Sequence, residues 1–247
     1  MAIAKFWNLL LIHRREGFIL LIATLLAAPL SAQLNRRNYN YDDYREKDFY
    51  FGISLGFNSS KHQVFLAEEF IGNPEVQRAL GVPGPGFNVH GIVNYKMGEY
   101  FDFRALPGFT FATRNLDFIR PLGDTLITQR TPIESIFVEF PIHIRYKSAP
   151  YRDKRAFVIA GLNYSFDVAS NSETRQANEL IRIAPHDFQL EAGFGMQFFF
   201  PYFIFSPEIK FSQSITNTLL FNDQIVESRV MQKLLSQVFT ISFHFEG

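Results

Sequence analysis

The chain has no cysteine, no net charge and no apolar run long enough for a membrane-spanning helix. The absence of cysteine from the 247 residues excludes disulfide bonds and thiolate metal sites. A formal net charge of zero, from 24 basic and 24 acidic residues, gives no electrostatic basis for binding nucleic acid. The apolar run GFILLIATLLAAPL, residues 17–30, is 14 residues long, whereas a spanning helix needs roughly 20.

The first 32 residues have the pattern of a secretory signal peptide. Lys5, Arg14 and Arg15 precede the apolar run, and the small residues of LSA follow it. A basic start, a short apolar middle and a small-residue end are typical of a segment that is removed on export, here with cleavage after Ala32. The alternative is an uncleaved membrane anchor, which the arginines disfavour because they interrupt the apolar stretch.

Residues 33–48, QLNRRNYNYDDYREKD, have eight charged side chains and few aliphatic ones. Such a composition predicts an extended, mobile segment, because it offers little apolar surface to bury. We interpret it as a periplasmic N-terminal extension. Its tyrosines, Tyr39, Tyr41 and Tyr44, are candidate contacts for a partner protein.

Phenylalanine is abundant, with 29 residues, and much of it alternates with polar residues. In SIFVEFPIHIRYK, residues 135–147, every even position is apolar, while the odd positions include Glu139, His143, Arg145 and Lys147. Alternation of this kind predicts a strand with one apolar and one polar face. The pattern occurs in eight segments of about ten residues, 49–59, 86–96, 100–113, 135–147, 156–166, 187–200, 205–214 and 238–246.

Eight segments of this length predict an all-β fold, an eight-stranded antiparallel transmembrane β-barrel of the outer-membrane type over residues 49–247. Joins alternate between long ones, expected to be extracellular loops (60–85, 115–134, 168–186 and 215–236), and short periplasmic turns (97–99, 148–154 and 201–202). This order places both termini in the periplasm of a Gram-negative bacterium. The alternative is a soluble all-β fold.

Aromatic residues at the short turns favour the membrane barrel, since rings with polar groups prefer the lipid–water boundary. The predicted girdle consists of Tyr95, Tyr100, Tyr146, Tyr151, Phe200, Tyr202 and Phe203. Three strand prolines, Pro107, Pro141 and Pro207, each remove one ladder donor and leave the local register open.

Charged residues on the polar faces are expected to fill the lumen. Eight strands leave an interior just wide enough for side chains, and buried charges have to be paired. The predicted lumenal network consists of Asp102, Arg104, Glu139, His143, Arg145, Glu191, Glu208 and Lys210.

The same polar faces leave open an enzyme that acts on lipid through a serine, a histidine and an acid. Its candidate residues are the histidines His90, His143 and His244 and the serines Ser54, Ser165 and Ser242. No Gly-x-Ser-x-Gly motif occurs, and the histidine spacing fits no metal site. GVPGPG, residues 81–86, lacks the lysine of a phosphate loop and predicts a turn. We expect no catalytic residues, cofactor or metal.

Two of the long joins have apolar residues at helical spacing. Val226, Val230 and Leu234 follow one another at intervals of four and predict a short helix after Asn222 or Asp223. QVFLAEEFIGNPEVQRAL, residues 63–80, is a second apolar insert that could form a broken helix. These residues either pack locally against the barrel mouth or dock another protein.

Three segments resemble the PorT family, also called SprT: VEFPIHIRYK (138–147), PEIKFSQSITNTL (207–219) and MQKLLSQVFTISFHFE (231–246). The first also resembles small outer-membrane barrels in general. The resemblance implies an outer-membrane component of the type IX secretion system, which exports cargo proteins and supports gliding motility.

We therefore expect a non-enzymatic barrel that is a structural or assembly part of a secretion machine. Its partners would be outer-membrane lipid and other proteins of that machine. Two alternatives are a lipid-modifying acyl hydrolase or transferase and a stand-alone surface adhesin.

Overall fold

The computed structural model describes residues 39–67, 78–122, 125–171, 182–220 and 231–247. The predicted signal peptide, residues 33–38 of the extension, Val226 and Val230 lie outside these ranges. No helix in the described ranges has the length and apolarity of a membrane span.

The described residues form a helix and a long succession of strands. The helix α1 is Asn40–Arg45, and a 3-10 helix covers Val168–Asn171. The strands are β1 Phe49–Leu66, β2 Arg78–Lys96, β3 Phe101–Ala105, β4 Gly108–Leu122, β5 Thr125–Lys147, β6 Lys154–Asp167, β7 Arg182–Ile183, β8 His186–Phe199, β9 Ile204–Ser214, β10 Leu219–Leu220 and β11 Met231–Glu246.

The long strands pair antiparallel in a complete circuit. β1 pairs with β11, and the sheet continues through β9, β8, β6 and β5 to β3, β4 and β2. β2 then pairs with β1, so the sheet closes on itself. β7 and β10 form a separate two-stranded ribbon. Closure pairs the backbone groups that an open sheet would leave unsatisfied at its edges.

β3 and β4 together make one span that is interrupted at Leu106 and Pro107. Ala105 lies opposite Ile142 in β5, and three residues later Gly108 lies opposite Glu139, so the register is unchanged across the gap. The Leu106 amide donates to the carbonyl of Pro141 over 2.9 Å. Eight spans therefore make up the wall of the barrel, and the predicted fold class is confirmed.

The faces of the strands follow the predicted alternation. Along β1, Phe57 is 70% exposed and the neighbouring odd positions are also exposed, whereas Ser54 is 1% exposed and Asn58 is buried. Apolar side chains cover the outside of the eight spans, and most of the inward side chains are polar, although Ile92, Phe157 and Ile159 are buried inside as well. The inward charges are therefore shielded from both lipid and bulk water.

Two of the expected long loops are largely strand. β4 continues to Leu122 and β5 begins at Thr125, so the described part of the predicted loop 115–134 is a ladder whose last pair is Leu122 and Thr125. β1 and β2 likewise extend into the expected loop 60–85. The barrel wall is longer than a bilayer requires, because β5 alone has 23 residues whereas a tilted strand crosses with about ten.

The predicted turn at GVPGPG is wrong, because residues 81–86 belong to β2. This segment pairs with β4 and shifts register between Pro83 and Gly86. A Cβ at Gly81 would lie 1.7 Å from the carbonyl oxygen of His62, and one at Gly86 would lie 2.2 Å from that of Phe111. These glycines thus allow the backbones of β1 and β4 to lie close to β2, which is a known role of glycine within strands.

Three predictions about local structure are also wrong. Residues 231–235 lie in β11 rather than in a helix, since the inserted apolar residues continue the ladder with β1. The same holds for residues 63–66 and 78–80 of the expected broken helix, which lie in β1 and β2. In the extension, Asn40–Arg45 form α1 instead of an extended segment.

Candidate functional site

The inside of the barrel contains ion pairs at three levels, beginning at the short-turn end, where both described chain ends also lie. Asp102 accepts from Arg145 Nη2 over 2.6 Å and from Arg145 Nε over 3.0 Å, and it also pairs with Lys147. The Tyr50 hydroxyl donates to Asp102 over 3.2 Å. Arg145 also donates to Asn94 over 3.1 Å, so this fully buried guanidinium is bound on several sides.

The next level connects four strands through Arg104. Its guanidinium pairs with Glu246, and its Nη1 lies 3.7 Å from Glu208 Oε2. Glu208 is also 3.3 Å from His244 Nε2. Arg145 Nη1 lies 3.6 Å from the same Glu246 and so joins this level to the first.

The level nearest the long-loop end is centred on two glutamates. Glu191 Oε2 lies 2.5 Å from His143 Nε2 and accepts from Lys210 over 3.0 Å. Ser212 donates to the other oxygen of Glu191 over 2.7 Å. Glu139, which lies on β5 as His143 does, has its Oε2 3.2 Å from His90 Nε2 and accepts from Thr110 over 2.7 Å.

A glycine lies between the histidine and the glutamate in each of these two pairs. His143 lies opposite Gly161, which in turn lies opposite Glu191 on the next strand. A Cβ at Gly161 would lie 2.7 Å from the His143 ring. The absent side chain therefore leaves the space in which the two residues meet across an intervening strand.

The second pair repeats this arrangement. His90 lies opposite Gly108, and Gly108 lies opposite Glu139. A Cβ at Gly108 would lie 2.5 Å from the His90 ring. The sequence signal is an inward-facing glycine on the strand between an inward histidine and an inward glutamate, and it becomes visible only when the strand register is known.

All eight residues predicted for the lumen are buried inside the barrel, and each belongs to one of these three levels. The sequence-based network did not include the partners Tyr50, Asn94, Lys147, His90, His244 and Glu246. Each of them lies at one of the alternate strand positions that carry the polar residues, so the alternation alone would have identified them.

The arrangement does not provide an activated serine. No hydrogen bond joins Ser54, Ser165 or Ser242 to any of the three candidate histidines in the described structure. Instead, His90, His143 and His244 each face a glutamate through Nε2. Nor does the described part of the chain contain a group of three histidine or acidic side chains placed to hold a metal ion.

An apolar cluster lies toward the long-loop end of the lumen. It lies inside the extended part of the wall and consists of Ala79, Leu116, Phe118, Ile133, Leu219, Met231 and Leu234, with Val64 and Ile183 packed against it. Leu234 is fully buried in this cluster, so its predicted role in docking a partner is contradicted.

The helix α1 covers part of the short-turn end. Tyr44 packs with Phe199 and Ile204, and its hydroxyl donates to the Phe200 carbonyl over 3.1 Å. Asn40 donates to the Phe199 carbonyl over 3.2 Å. Burial raises the pKa of the Tyr41 and Tyr44 hydroxyls. Tyr44 is buried against the barrel, which contradicts its proposed partner contact, whereas Tyr39 and Tyr41 are half-buried.

The predicted girdle residues are all exposed around the short-turn end, with Tyr202 the most accessible at 92%. Several of their rings are in contact: Phe200 and Phe203 have centroids 5.1 Å apart, and those of Tyr100 and Tyr146 are 6.5 Å apart. An exposed aromatic ring of this kind suits a lipid–water boundary.

The chain is similar to one known family and to several solved structures. Residues 31–220 match the family described as "Outer membrane protein beta-barrel domain". No curated protein matches the sequence. The outer membrane protein OprG from Pseudomonas aeruginosa is 9% identical, with 81% of this chain and 95% of that chain covered and a TM-score of 0.47. Neisserial surface protein A is 8% identical, with 81% of this chain and 97% of that chain covered and a TM-score of 0.42.

Proposed function

The chain belongs to the outer membrane protein beta-barrel domain family, and we propose that it is a non-enzymatic structural or assembly component of a protein secretion machine in the outer membrane. The sequence resemblance to the PorT family favours the type IX, gliding-associated system. In this proposal the short-turn end and both described chain ends face the periplasm.

The observation that carries the proposal is the filled lumen. Three levels of ion pairs occupy the spans, and an apolar cluster and α1 lie at the two ends. A polypeptide could pass only if these side chains were displaced, and each displacement would leave a buried charge unpaired. We therefore assign the protein a role in binding other proteins rather than in conducting them.

The β4–β5 hairpin is the best candidate contact surface. β5 begins at Thr125 but pairs with β6 only from Phe137 onward, so its first part projects beyond that neighbour. Near the tip, Leu126 is 61% exposed and Ile127 is also exposed. Exposed aliphatic residues outside the lipid belt favour a protein contact.

An ion pair joins the two strands of the hairpin in addition to their backbone pairing. Arg130 donates to Asp117 through Nε and Nη2, both over 2.8 Å. This hydrogen bonding lowers the pKa of Asp117. A rigid hairpin loses less conformational entropy when it binds a partner than a flexible loop would.

Deletion of the gene followed by an assay of cargo release tests the proposal. We expect cargo to be retained in the deletion strain and released again when the wild-type gene is restored. A variant with Leu126→Ser and Ile127→Ser is expected to insert normally but to restore release poorly. Thr128→Ala, on the same exposed stretch, is the matched control and should restore release fully. Normal secretion without the gene would contradict the role in secretion.

A further inference from the structure

A cavity of about 270 Å³ lies between α1 and the ion pairs at the short-turn end. Its walls come from α1, from the two turns beside it and from the ends of the neighbouring strands. The residues that matter for its chemistry are Tyr41, Arg45, Asp48, Lys96, Glu99, Lys147 and Arg155. No function proposed above uses this space.

Basic side chains outnumber acidic ones around the cavity. Four of its lining residues are lysine or arginine, and two are acidic, Asp48 and Glu99. Lys147 is already paired with Asp102, which lies behind the cavity in the lumenal network. The partners of Arg155 and Lys96 therefore decide whether the cavity has an excess of positive charge.

Arg155 is a buried cation bonded to neutral groups. It is 4% exposed, and its Nε and Nη2 each donate over 2.5 Å, to the carbonyls of Ser148 and Glu99 respectively. Its Nη1 donates to the Tyr41 hydroxyl over 3.2 Å. Within the described residues no carboxylate lies at ion-pair distance from Arg155. A buried guanidinium without an opposite charge is costly, so an anion beside it would be strongly favoured.

Lys96, which is half-buried, also lines the cavity. Its Nζ donates to the main-chain carbonyl of Tyr44 in α1. The described structure gives it no carboxylate within ion-pair distance either. Two basic groups thus border one cavity with neutral oxygens as their acceptors.

The cavity is accessible and large enough for a small ligand. Arg45, Asp48, Gly98 and Glu99 are exposed on its open side, so a solute could enter past them. At about 30 Å³ for each water molecule, the volume corresponds to about nine waters. Inorganic phosphate and a short dicarboxylate both fit within such a space.

We propose that this mouth cavity binds a small oxyanion ligand, one that has a carboxylate or phosphate group, between Arg155 and Lys96. Nη1 and Nη2 of Arg155 would each donate their second N–H to the oxyanion, and the lysine would supply a second positive charge. Phe199 and Ile204 provide an apolar wall for the remainder of the ligand.

Titration calorimetry on the full processed chain in a maltoside detergent, which contains no phosphate, tests the proposal. Inorganic phosphate and succinate are titrated separately at constant ionic strength, with chloride as the reference anion, so that the two arms distinguish phosphate from carboxylate recognition. We expect saturable binding of at least one of them. Arg155→Gln and Lys96→Gln should each weaken it about tenfold or more, as loss of a charge-assisted bond of roughly 1.4 kcal/mol predicts.

Lys154→Gln is the matched control, because Lys154 is an exposed cation beside Arg155 that does not line the cavity. It should bind as the wild type does. Lys96→Gln keeps the experiment decisive if Arg155→Gln does not fold. The proposal is overturned if neither anion binds saturably, or if binding is equally strong in Lys96→Gln, or equally weakened in Lys154→Gln.

Discussion

At the scale of single residues, the lumen depends as much on glycine as on charge. Gly161 and Gly108 each stand between a histidine and a glutamate that meet across three strands. The pairing of charges is thereby directed over two strand spacings rather than one. Parity along each strand predicted which residues point inward, but it could not predict which acid meets which base.

Adding a methyl group at Gly161 tests this arrangement. We expect Gly161→Ala to lower the free energy of unfolding by about 1–3 kcal/mol, because the new Cβ would press on the Ile142 carbonyl and the His143 ring. The measurement is urea unfolding of the barrel reconstituted in lipid vesicles.

Gly91→Ala is the matched control for this substitution. A Cβ at Gly91 would have its nearest neighbour, the Pro107 carbonyl oxygen, at 3.8 Å. This variant should unfold like the wild type. Equal losses in the two variants would show that the effect comes from strand glycine in general and not from the His–Glu contact.

At the scale of elements, the alternation in the sequence predicted the eight spans and their faces but not their lengths. GVPGPG looks like a turn because glycine and proline are common in turns. In the barrel its glycines permit β1 and β4 to lie close to β2 on either side, which only the tertiary structure reveals. Residues 231–235 were misassigned because apolar residues four apart fit a helix and a half-buried strand equally well.

The helix α1 was missed for a different reason. Its six residues, NYDDYR, are mostly polar, and so short a helix has little intrinsic stability. Contacts of Tyr44 with Phe199 and Ile204 hold it in place. A stretch that is stabilised by a distant surface leaves no periodic signal in its own sequence.

The docking of α1 should depend on pH. Burial raises the pKa of the Tyr41 and Tyr44 hydroxyls above the unfolded value of about 10. A group whose pKa is higher in the folded than in the unfolded protein stabilises the fold fully at a pH below its unfolded-state pKa. This stabilisation is lost as the pH rises through its folded-state pKa. We therefore expect the melting temperature to fall as the pH is raised above about 10.

Thermal unfolding at a series of pH values provides the measurement. The variant with Tyr41→Phe and Tyr44→Phe has no hydroxyl to ionise in α1, and its melting temperature should fall less over this range. The same dependence in both proteins would contradict the assignment to these two tyrosines.

At the scale of the whole molecule, the barrel is closed along its axis. The ion pairs, the apolar cluster and α1 occupy successive levels of the interior. An eight-stranded barrel has room inside only for its own side chains. The inward charged residues therefore hold neighbouring strands together and do not line a pore.

Ion conductance of the purified protein in planar lipid bilayers tests this description. We expect no steady channel activity, because opening would require several buried charges to lose their partners at once. A variant that lacks residues 33–47 should also be silent, since the lumenal network remains without α1. Stable single-channel currents from the wild type would contradict the closed interior.

The pairing of β1 with β11 has a consequence for how the molecule is made. The two strands meet from Gly52 and Glu246 to Leu66 and Met231, so the cylinder is sealed by its first and last strands. Until β11 has been made, β1 has an edge of unpaired backbone N–H and C=O groups, which is unfavourable in hydrocarbon. The barrel can therefore close in lipid only after β11 has been made.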